Sequence, residues 1–316
     1  MNYNLSLTRN RTIEAISQFY GESHVLVSDS VLLDWMYKNN SGKFNVATLE
    51  LNSRMIAMLA YTHSTRFERS PSRKVLWGSL WAADSNFPGA GVSVLKKVIK
   101  SFPRYSFCTL GVSRQAEMIY QSLGYKVSTL SHYFMERLGA KETITNIYPP
   151  TRRLIKKLSI ADLRYFLDYP HGLFGGRTVE YVLNRYLKHP RFEYQIYGVI
   201  SDNILAIFVG RVVTTPDQTF FRIVEFMHTD STPYLGAEIS VWLKETGLDF
   251  IDFYCIGRHR LMEIGWIPVN EQCASIFPHF VDPVEYRNIT LKLIHADEIN
   301  WVTRGDGDQD RPNSFR

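Results

Sequence analysis

The chain has 316 residues, of which 45% are hydrophobic and 14% aromatic, and this composition excludes a largely disordered protein. Its length suits two domains of ordinary size, each able to bury its own core. The formal net charge of +5 favours anionic ligands such as nucleotides or CoA. No run of Lys or Arg exceeds two consecutive residues, so the charge pattern does not predict nucleic-acid binding.

The cysteines and the hydropathy pattern exclude further classes of protein. Cys108, Cys255 and Cys273 are far apart, without a CxxC pair or a His at ligand spacing, so neither a disulfide framework nor a metal site is predicted. The N-terminal residues lack an apolar signal region, and no uncharged apolar stretch reaches the length of a membrane span. We therefore expect a cytoplasmic protein without a membrane span.

The first half predicts helices and strands in a mixed order. Helical spacing of apolar residues predicts helices over 8–20 and 25–37, with Ser28 or Asp29 as an N-cap of the second. Further along the chain, the pattern predicts strands over 44–51, 55–62, 76–82, 107–112 and 126–138, and helices over 92–102 and 113–123.

Two motifs lie between residues 76 and 127. Residues 86–91 (Asn-Phe-Pro-Gly-Ala-Gly) follow a predicted strand and open a predicted helix, where converging unpaired N–H groups can bind a phosphate. Residues 116–125 (Ala-Glu-Met-Ile-Tyr-Gln-Ser-Leu-Gly-Tyr) end the next helix. The pair resembles the GCN5-related N-acetyltransferase (GNAT) family, with its loop (Gln/Arg)-x-x-Gly-x-(Gly/Ala) and its helix Ala-x-x-(Leu/Ile)-Tyr-x-x-x-Gly-(Phe/Tyr). Asn86 stands where the family prefers Gln or Arg.

The resemblance implies an acyl-CoA site in this stretch. In the family, the strands before the loop and before the last helix splay apart, and pantetheine inserts between them. A backbone N–H of the first strand would bind the developing oxyanion, and Tyr120 would be the general acid toward the leaving sulfur, with a packed aromatic as the alternative. The implied binding residues are Leu80, Trp81, Ala82, Phe87, Pro88, Gly89, Ala90, Gly91, Val92 and Ser113.

A base for the acceptor amine is harder to assign. Asp84, just past the central strand, is the first candidate for this catalytic role; Ser79, Glu50 and His63 lie on or near neighbouring strands, and any of these residues could instead be structural. The resemblance also implies that the first helices line the acceptor site. His24 and Trp35 are therefore candidate acceptor contacts, with capping or packing as the alternative.

The second half coarsely repeats the first. Residues 139–153 interrupt the pattern, and we place the domain boundary there, giving domains 1–145 and 146–300. The repeat comprises helices over 160–167 and 178–187, strands over 192–200, 204–213, 220–228 and 250–256, and a helix opened by 234–237. Its loop has one Gly and its later helix lacks the Tyr, so we expect a degenerate copy that recognises the acceptor. Asp252 and Tyr254 are possible acceptor contacts on one face of a strand, with core packing as the default for the aromatic Tyr254.

The C-terminal tail, 301–316, is dense in acidic residues and Gly. It is expected either to be disordered or to fold back, with Asp306, Asp308 or Asp310 contacting an amine or sugar hydroxyls. A calcium loop is not predicted, because the Glu required at its twelfth position is absent.

The predicted fold class is α/β with a mixed α+β sheet, in two tandem GNAT-like domains. The resemblance implies an N-acyltransferase that uses acetyl-CoA or another acyl-CoA as co-substrate and needs no metal. Segments 22–26 and 32–35 and the tail also resemble bacterial surface-polysaccharide acyltransferases, which implies a small-molecule acceptor such as a nucleotide-linked amino sugar. Two alternatives remain: a Fem-like aminoacyl-tRNA-dependent transferase, and a non-catalytic module that binds CoA or another ligand.

Overall fold

The computed structural model describes residues 1–71, 73–137, 153–167, 177–202, 204–229, 232–257, 260–270, 277–278, 280–281, 284–286, 290–297, 301–307 and 309–310. They fall into two compact units. The first holds the described residues of Met1–Thr129, Thr290–Glu298 and Asp306–Arg316, and the second those of Leu130–Ile289 and Ile299–Gly305.

The first unit contains a seven-stranded sheet in the order β1-β2-β3-β4-β5-β16-β6, in which β4 and β5 are parallel. Its elements are β1 (Asn2–Asn4), α1 (Arg9–Tyr20), α2 (Val25–Ser28), α3 (Ser30–Tyr37), β2 (Val46–Leu51), β3 (Arg54–His63), β4 (Val75–Ala83), α4 (Ala90–Ser101), β5 (Ser106–Leu110), α5 (Arg114–Ser122), β6 (Lys126–Thr129) and β16 (Lys292–His295).

Two apolar layers cover the sheet of the first unit. Helices α1 to α3 pack on one face, where residues such as Ile16, Leu33 and Leu80 form one core cluster. Residues of α4 and α5, among them Val94 and Tyr120, form the cluster on the other face. The helix predicted over 25–37 is two helices, because the Asp29 carboxylate accepts hydrogen bonds from two N–H groups and starts α3.

The second unit contains a sheet in the order β13-β7-β12-β11-β10-β9-β8, with β17 also paired to β12. Strands β11 and β12 are parallel, as β4 and β5 are in the first unit. Its elements are β7 (Ser131–Glu136), β8 (Leu154–Lys157), α6 (Ile160–Leu167), α7 (Val179–Val182), β9 (Gln195–Ile200), β10 (Ile204–Thr214), β11 (Thr219–His228), α8 (Gly236–Thr246), β12 (Phe250–Ile256), α9 (Leu261–Ile264), β13 (Ile267–Pro268), β14 (Phe280–Val281), β15 (Val284–Glu285) and β17 (Val302–Thr303).

The two halves repeat one topology, as the sequence predicted. In each, an antiparallel run of strands leads to a central strand, a helix follows, and the next strand is parallel to the central one. Each central strand carries a β-bulge: Ser79 and Leu80 lie opposite Ala60 in the first unit, and Val224 is the extra residue in the second. The structure is therefore a mixed α+β fold built from two related halves.

The strand predicted over 126–138 is wrong as a single element. It is broken at Leu130: β6 pairs with β16 in the first sheet, whereas β7 pairs with β12 in the second. The alternation of apolar and polar residues along one strand does not show which neighbouring strand each part of it will pair with. The domain prediction 1–145 thus differs from the observed units at β7 and β16, and the predicted boundary at 145 lies outside the described residues.

None of the helices in the described part of the chain is both long and apolar enough to cross a membrane.

Candidate functional site

A cleft of about 570 Å³ lies in the first unit, between the C-terminal end of β4 and the first turns of α4 and α5. Its walls contain the predicted acyl-CoA residues Trp81, Ala82, Phe87, Pro88, Gly89, Gly91, Val92 and Ser113. The side chains of Leu80 and Ala90 belong instead to the two core clusters. The structure therefore brings most of the predicted set to one place.

The strands beside this cleft separate as the resemblance implied. Strand β4 pairs with β5 only from Val75 to Gly78, opposite Ser106 to Thr109. The last residues of β4 run on beyond this pairing, and three of them line the cleft: Trp81, Ala82 and Ala83. One edge of this part of β4 is held by β3, and the edge toward β5 borders the gap.

The loop before α4 is shaped to receive an anion. Gly89 has φ +84°, a left-handed conformation that favours glycine, and no atom lies within 4 Å of where its Cβ would be. The first N–H groups of a helix have no partner within the helix, and in α4 these include Gly91 and Val92, which both line the cleft. This end of the cleft fits a phosphate or diphosphate.

Asp84 lines the cleft, but its carboxylate is already engaged. One oxygen pairs with Arg54 Nη2 at 2.5 Å, and the other accepts hydrogen bonds from the backbone and side-chain N–H groups of Asn86 at 2.9 and 3.0 Å. These contacts fix the start of the phosphate loop. The geometry gives Asp84 a loop-positioning role rather than that of a free base.

Tyr120 does not lie on the wall of the cleft formed by the described residues. Its side chain is 1% exposed, and its ring packs against Trp81, Phe107 and Tyr125 with ring centres 5.0, 5.9 and 5.6 Å away. Burial raises the pKa of its hydroxyl, which keeps the group protonated. Its acid role remains a prediction, and it requires the buried hydroxyl to gain access to the cleft.

The alternative bases have structural partners or lie elsewhere. The Ser79 hydroxyl is 2.7 Å from the hydroxyl of Tyr37, and Glu50 pairs with Arg11 at 2.8 Å. His63 lies at the opposite end of the sheet from the cleft, where it pairs with Leu76 near the start of β4.

The candidate acceptor residues of the first helices have local contacts. His24 accepts a hydrogen bond from the N–H of Leu26 at 3.3 Å and so caps α2. Trp35 is half-buried and packs beside the helical core cluster, with its ring centre 5.7 Å from that of Phe67. Capping and packing, the alternatives raised from the sequence, describe these contacts.

Asp252 and Tyr254 lie in the core of the second unit. Asp252 is fully buried, pairs with Arg222 at 2.8 Å, and is 3.3 Å from His132 Nε2. Burial alone would raise the pKa of Asp252, but Arg222 and His132 outweigh it and hold the pKa well below its usual range. Tyr254 stacks on His132 with ring centres 3.8 Å apart. Neither residue is placed to meet an acceptor from solvent.

The described residues of the tail are folded. Asp306 and Asp310 are both buried in the first unit at 3% exposure, and Gln309 donates a hydrogen bond to the carbonyl of Leu110 at 3.0 Å. Of the two expectations for the tail, folding back is therefore confirmed for these residues. Asp308 lies outside the described residues.

The second unit has its own gap, between β11 and β12, and the chain fills it. These strands pair only from Phe221 to Ile223, and beyond that point β17 pairs with β12 instead. Thr303 Oγ1 donates to Glu225 Oε1 at 3.3 Å, and Arg185 donates two hydrogen bonds, at 3.1 and 2.9 Å, to the carbonyl of Gly305. Peptide thus occupies the position that is open in the first unit.

The start of α8, the counterpart of α4, is also covered. A Cβ on Gly236 would lie 2.5 Å from the ring of Tyr234. The first turn of α8 carries Glu238, paired with Arg153 at 2.9 Å, and a carboxylate there disfavours a second anion. These contacts give a physical basis for calling the second copy degenerate.

Several cleft residues were not predicted from the sequence. Gln115, Ala116 and Ile119 of α5 line the wall opposite β4, Ala83 lines it at the end of that strand, and Ser85 lines it in the loop that follows. The three helical residues share one face at i, i+1 and i+4 spacing, which is a signal that helical periodicity could have provided.

No family model and no curated protein sequence matches the chain, whereas solved structures match over most of its length. A GCN5-related N-acetyltransferase from Anabaena variabilis is 11% identical, with 92% of this chain and 72% of that chain covered at a TM-score of 0.51. A probable N-acyltransferase from Enterococcus faecalis V583 is 9% identical, with 93% and 72% covered at a TM-score of 0.54.

A third neighbour is a GCN5-related glucosamine N-acetyltransferase region within a fungal multi-domain GH3 β-N-acetylglucosaminidase. It is 9% identical, with 93% of this chain and 38% of that chain covered at a TM-score of 0.58. At these identities the likeness shows the fold alone. Together with the repeated topology, it shows that this chain has a tandem GNAT-like fold.

Proposed function

We propose that the first unit is an acyl-CoA-dependent N-acyltransferase. One observation carries the proposal: a single cleft joins the open start of α4 to the end of β4 that extends beyond its pairing with β5. The backbone N–H groups of Gly91 and Val92 would bind the diphosphate of the co-substrate. The free edge of β4 would bind the extended pantetheine arm through backbone hydrogen bonds.

Acyl transfer requires that the two substrates be positioned for attack and that a hydrogen-bond donor stabilise the developing oxyanion. Backbone N–H groups of Leu80 to Ala82 that point away from β3 are candidates for this donor, because these residues lie at or directly after the bulge and beyond the pairing with β5. Acyl-CoA would supply the activated acyl thioester. The likeness to N-acetyltransferase folds supports this assignment.

We further propose that the acceptor is an amino sugar, free or nucleotide-linked. The fungal neighbour, described as a glucosamine N-acetyltransferase region, supports an acceptor of this class, as does the resemblance of 22–26, 32–35 and the tail to surface-polysaccharide acyltransferases. A hexosamine offers one amine and several hydroxyls, so recognition would depend on carboxylate and amide side chains.

The test is calorimetric titration of acetyl-CoA and CoA into wild type and a Gly89→Asp variant. The new carboxylate would lie where the diphosphate binds and should weaken affinity by at least about tenfold. Gly89→Asn is a control that introduces a side chain of nearly the same shape as Asp but without its negative charge. Gly247→Asp is a matched control, since Gly247 has φ +71° with no atom within 4 Å of its Cβ position, at the C-terminus of α8.

Each outcome of the titration and of a turnover assay supports one of the three hypotheses about function. Binding with acylation of an amine supports the proposal, and equal CoA affinity of the Gly89→Asp variant and wild type contradicts the loop assignment. Absence of CoA binding by wild type favours the aminoacyl-tRNA-dependent alternative. Tight binding without turnover on any amine favours a non-catalytic ligand-binding module.

A further inference from the structure

The β-bulge of β4 decides which side chains of this strand face the cleft. Leu76 packs in the core cluster on the α4 face, so simple alternation would put Leu80 on that face and Trp81 on the other. Ala60 of β3 lies opposite both Ser79 and Leu80, and the extra residue reverses the alternation. Leu80 accordingly packs with α1 to α3, whereas Trp81 packs on the α4 face and lines the cleft.

The same bulge sets the direction of the backbone N–H groups that follow it. Along a strand in an antiparallel pair, successive N–H groups point alternately toward the partner strand and away from it. Beyond Gly78, β4 has β3 on one edge and the gap on the other. The bulge therefore determines which N–H groups of Leu80 to Ala82 face the gap.

Two hydroxyl groups hold this bulge. The Ser79 hydroxyl donates a 3.2 Å hydrogen bond to the carbonyl oxygen of Ala60. The oxygens of Ser79 and Tyr37 are 2.7 Å apart, and because the single hydroxyl proton of Ser79 is directed to the carbonyl, Tyr37 donates this second bond. Tyr37 is the last residue of α3 and is fully buried. The bonds thus connect α3 to both strands at the bulge.

We infer that Tyr37 and Ser79 are positioning residues for acyl transfer: they hold the bulge so that a backbone N–H group after it points to the carbonyl of the thioester. The inference rests on the proposed function. Both hydroxyl groups act through the backbone of β4 and not by contact with a substrate. A displacement of about 1 Å in a catalytic group can cost about 100-fold in rate, so losing either hydroxyl should slow the chemical step.

Binding of the co-substrate depends on other contacts. Its diphosphate would lie at the start of α4, and the hydrogen bond from Trp81 to the carbonyl of Gly91 ties the end of β4 to that helix. This bond remains when a hydroxyl is removed at the bulge. The affinity for acetyl-CoA should therefore be retained while kcat falls.

The experiment compares wild type with Ser79→Ala, Tyr37→Phe and Thr62→Val. Thr62→Val is the matched control, because the Thr62 hydroxyl donates a 3.2 Å hydrogen bond to the carbonyl of Met36 and so also links β3 to α3. Thr62 lies opposite Trp77, where β4 is still paired with β5. For each protein, kcat is measured for acetyl transfer to glucosamine, spermidine and L-lysine, acetyl-CoA affinity by calorimetry, and stability by urea unfolding.

Ser79→Ala and Tyr37→Phe should each lower kcat by about 10- to 100-fold with unchanged acetyl-CoA affinity. The double variant should lose little more than the more impaired single variant, because both hydroxyls act through one chain of hydrogen bonds. Ser79→Thr retains a hydroxyl and should keep a kcat close to that of wild type. Thr62→Val should lower the urea midpoint by a similar amount but keep the wild-type kcat.

The results distinguish failure of the inference from failure of the proposed function. Wild type that binds no acetyl-CoA, or that acetylates none of the three amines, contradicts both. An active wild type with an unchanged kcat in Ser79→Ala overturns the inference alone, and so does an equal loss of kcat in Thr62→Val, which would show a general effect of stability. If Tyr37→Phe does not fold, the comparison of Ser79→Ala with Ser79→Thr decides, since only the first removes the hydroxyl.

Discussion

The indole Nε1 of Trp81 donates a 2.9 Å hydrogen bond to the carbonyl oxygen of Gly91. This bond ties the end of β4 to the first turn of α4, across the floor of the cleft. A Cβ on residue 91 would lie 3.2 Å from the same indole nitrogen, so glycine at this position permits the close approach.

Replacing Trp81 with Phe should weaken this junction. The variant keeps an aromatic ring in the cleft wall but loses the donor, and one such hydrogen bond is worth about 1 kcal/mol of stability. We expect a loss of that size in urea unfolding and a several-fold weaker acetyl-CoA affinity by calorimetry. Trp35→Phe, in the helical layer of the same unit, should leave acetyl-CoA affinity unchanged; an equal loss in both variants would contradict a specific role for Trp81.

Tyr120→Phe separates the two roles of this residue. The ring contacts with Trp81, Phe107 and Tyr125 would remain, so unfolding stability and acetyl-CoA affinity should change little. If the hydroxyl protonates the leaving sulfur, kcat should fall by at least about tenfold. This decrease is smaller than is usual for the loss of a general acid, because the hydroxyl is buried. Single-turnover kinetics would check this. A wild-type kcat would leave Tyr120 with packing alone.

The repeated topology and the phosphate loop could be predicted from the sequence because their signals are local. A Gly-rich turn after a strand, or apolar residues at helical spacing, depends only on neighbours in the chain. Such signals predicted the strand that leads to Trp81, the loop at Gly89 and the helix that carries Tyr120.

Pairing between distant segments could not be predicted in this way. Nothing in the sequence of β7 shows that it joins β12, or that β16 inserts between β5 and β6. The burial of Asp252 was also missed, because its partner Arg222 comes from the neighbouring strand. A charged residue in an apolar strand indicates either a site or a buried pair, and only the cross-strand contact decides between them.

His63 should make the first unit less stable in acid. Its Nδ1 is buried without a hydrogen-bond partner among the described residues, the rings of Tyr61, Phe102 and Tyr105 surround it, and burial lowers its pKa from 6.5 to about 4. As the pH falls, His63 is therefore protonated in the unfolded chain before it is protonated in the folded one. Its contribution to the free energy of unfolding is complete above pH 6.5 and is lost as the pH falls toward 4, by up to about 3 kcal/mol.

A His63→Phe variant tests this prediction. Phe retains an aromatic ring and cannot be protonated, so urea midpoints measured at pH 7 and pH 4.5 should differ less in the variant than in wild type. His132, whose pKa burial also lowers, is present in both proteins and should contribute equally. An identical loss on acidification would show that His63 does not titrate in this range.

Asp252→Asn should destabilise the second unit without affecting co-substrate binding. The substitution leaves the Arg222 guanidinium buried opposite a neutral amide, and breaking a buried pair in this way costs about 3–5 kcal/mol. Thermal unfolding should show a clear loss, while acetyl-CoA affinity of the folded protein should be retained. The control Asp202→Asn, at an exposed position, should leave the unfolding temperature unchanged. A stable Asp252→Asn protein with a higher KM for the acceptor would instead favour the acceptor contact that the sequence suggested.

Gly305→Ala should disturb the peptide that fills the gap of the second unit. A Cβ at this position would lie 2.1 Å from the hydroxyl of Tyr186 and 3.0 Å from the carbonyl of Val224. Tyr186 cannot simply turn away, because its hydroxyl donates a 2.7 Å hydrogen bond to the buried Glu225. We expect a loss of about 2–3 kcal/mol on thermal or urea unfolding.

The control is Gly42→Ala. No atom lies within 4 Å of the Cβ position at Gly42, and only its φ of +77° disfavours a side chain. The free energy of unfolding should therefore fall by about 1 kcal/mol in this variant. Because residues 302–305 occupy the gap between β11 and β12, wild type should bind one acetyl-CoA per chain in calorimetry. A stoichiometry of two, or a Gly305→Ala protein as stable as the control, would show that this peptide does not close the second gap in solution.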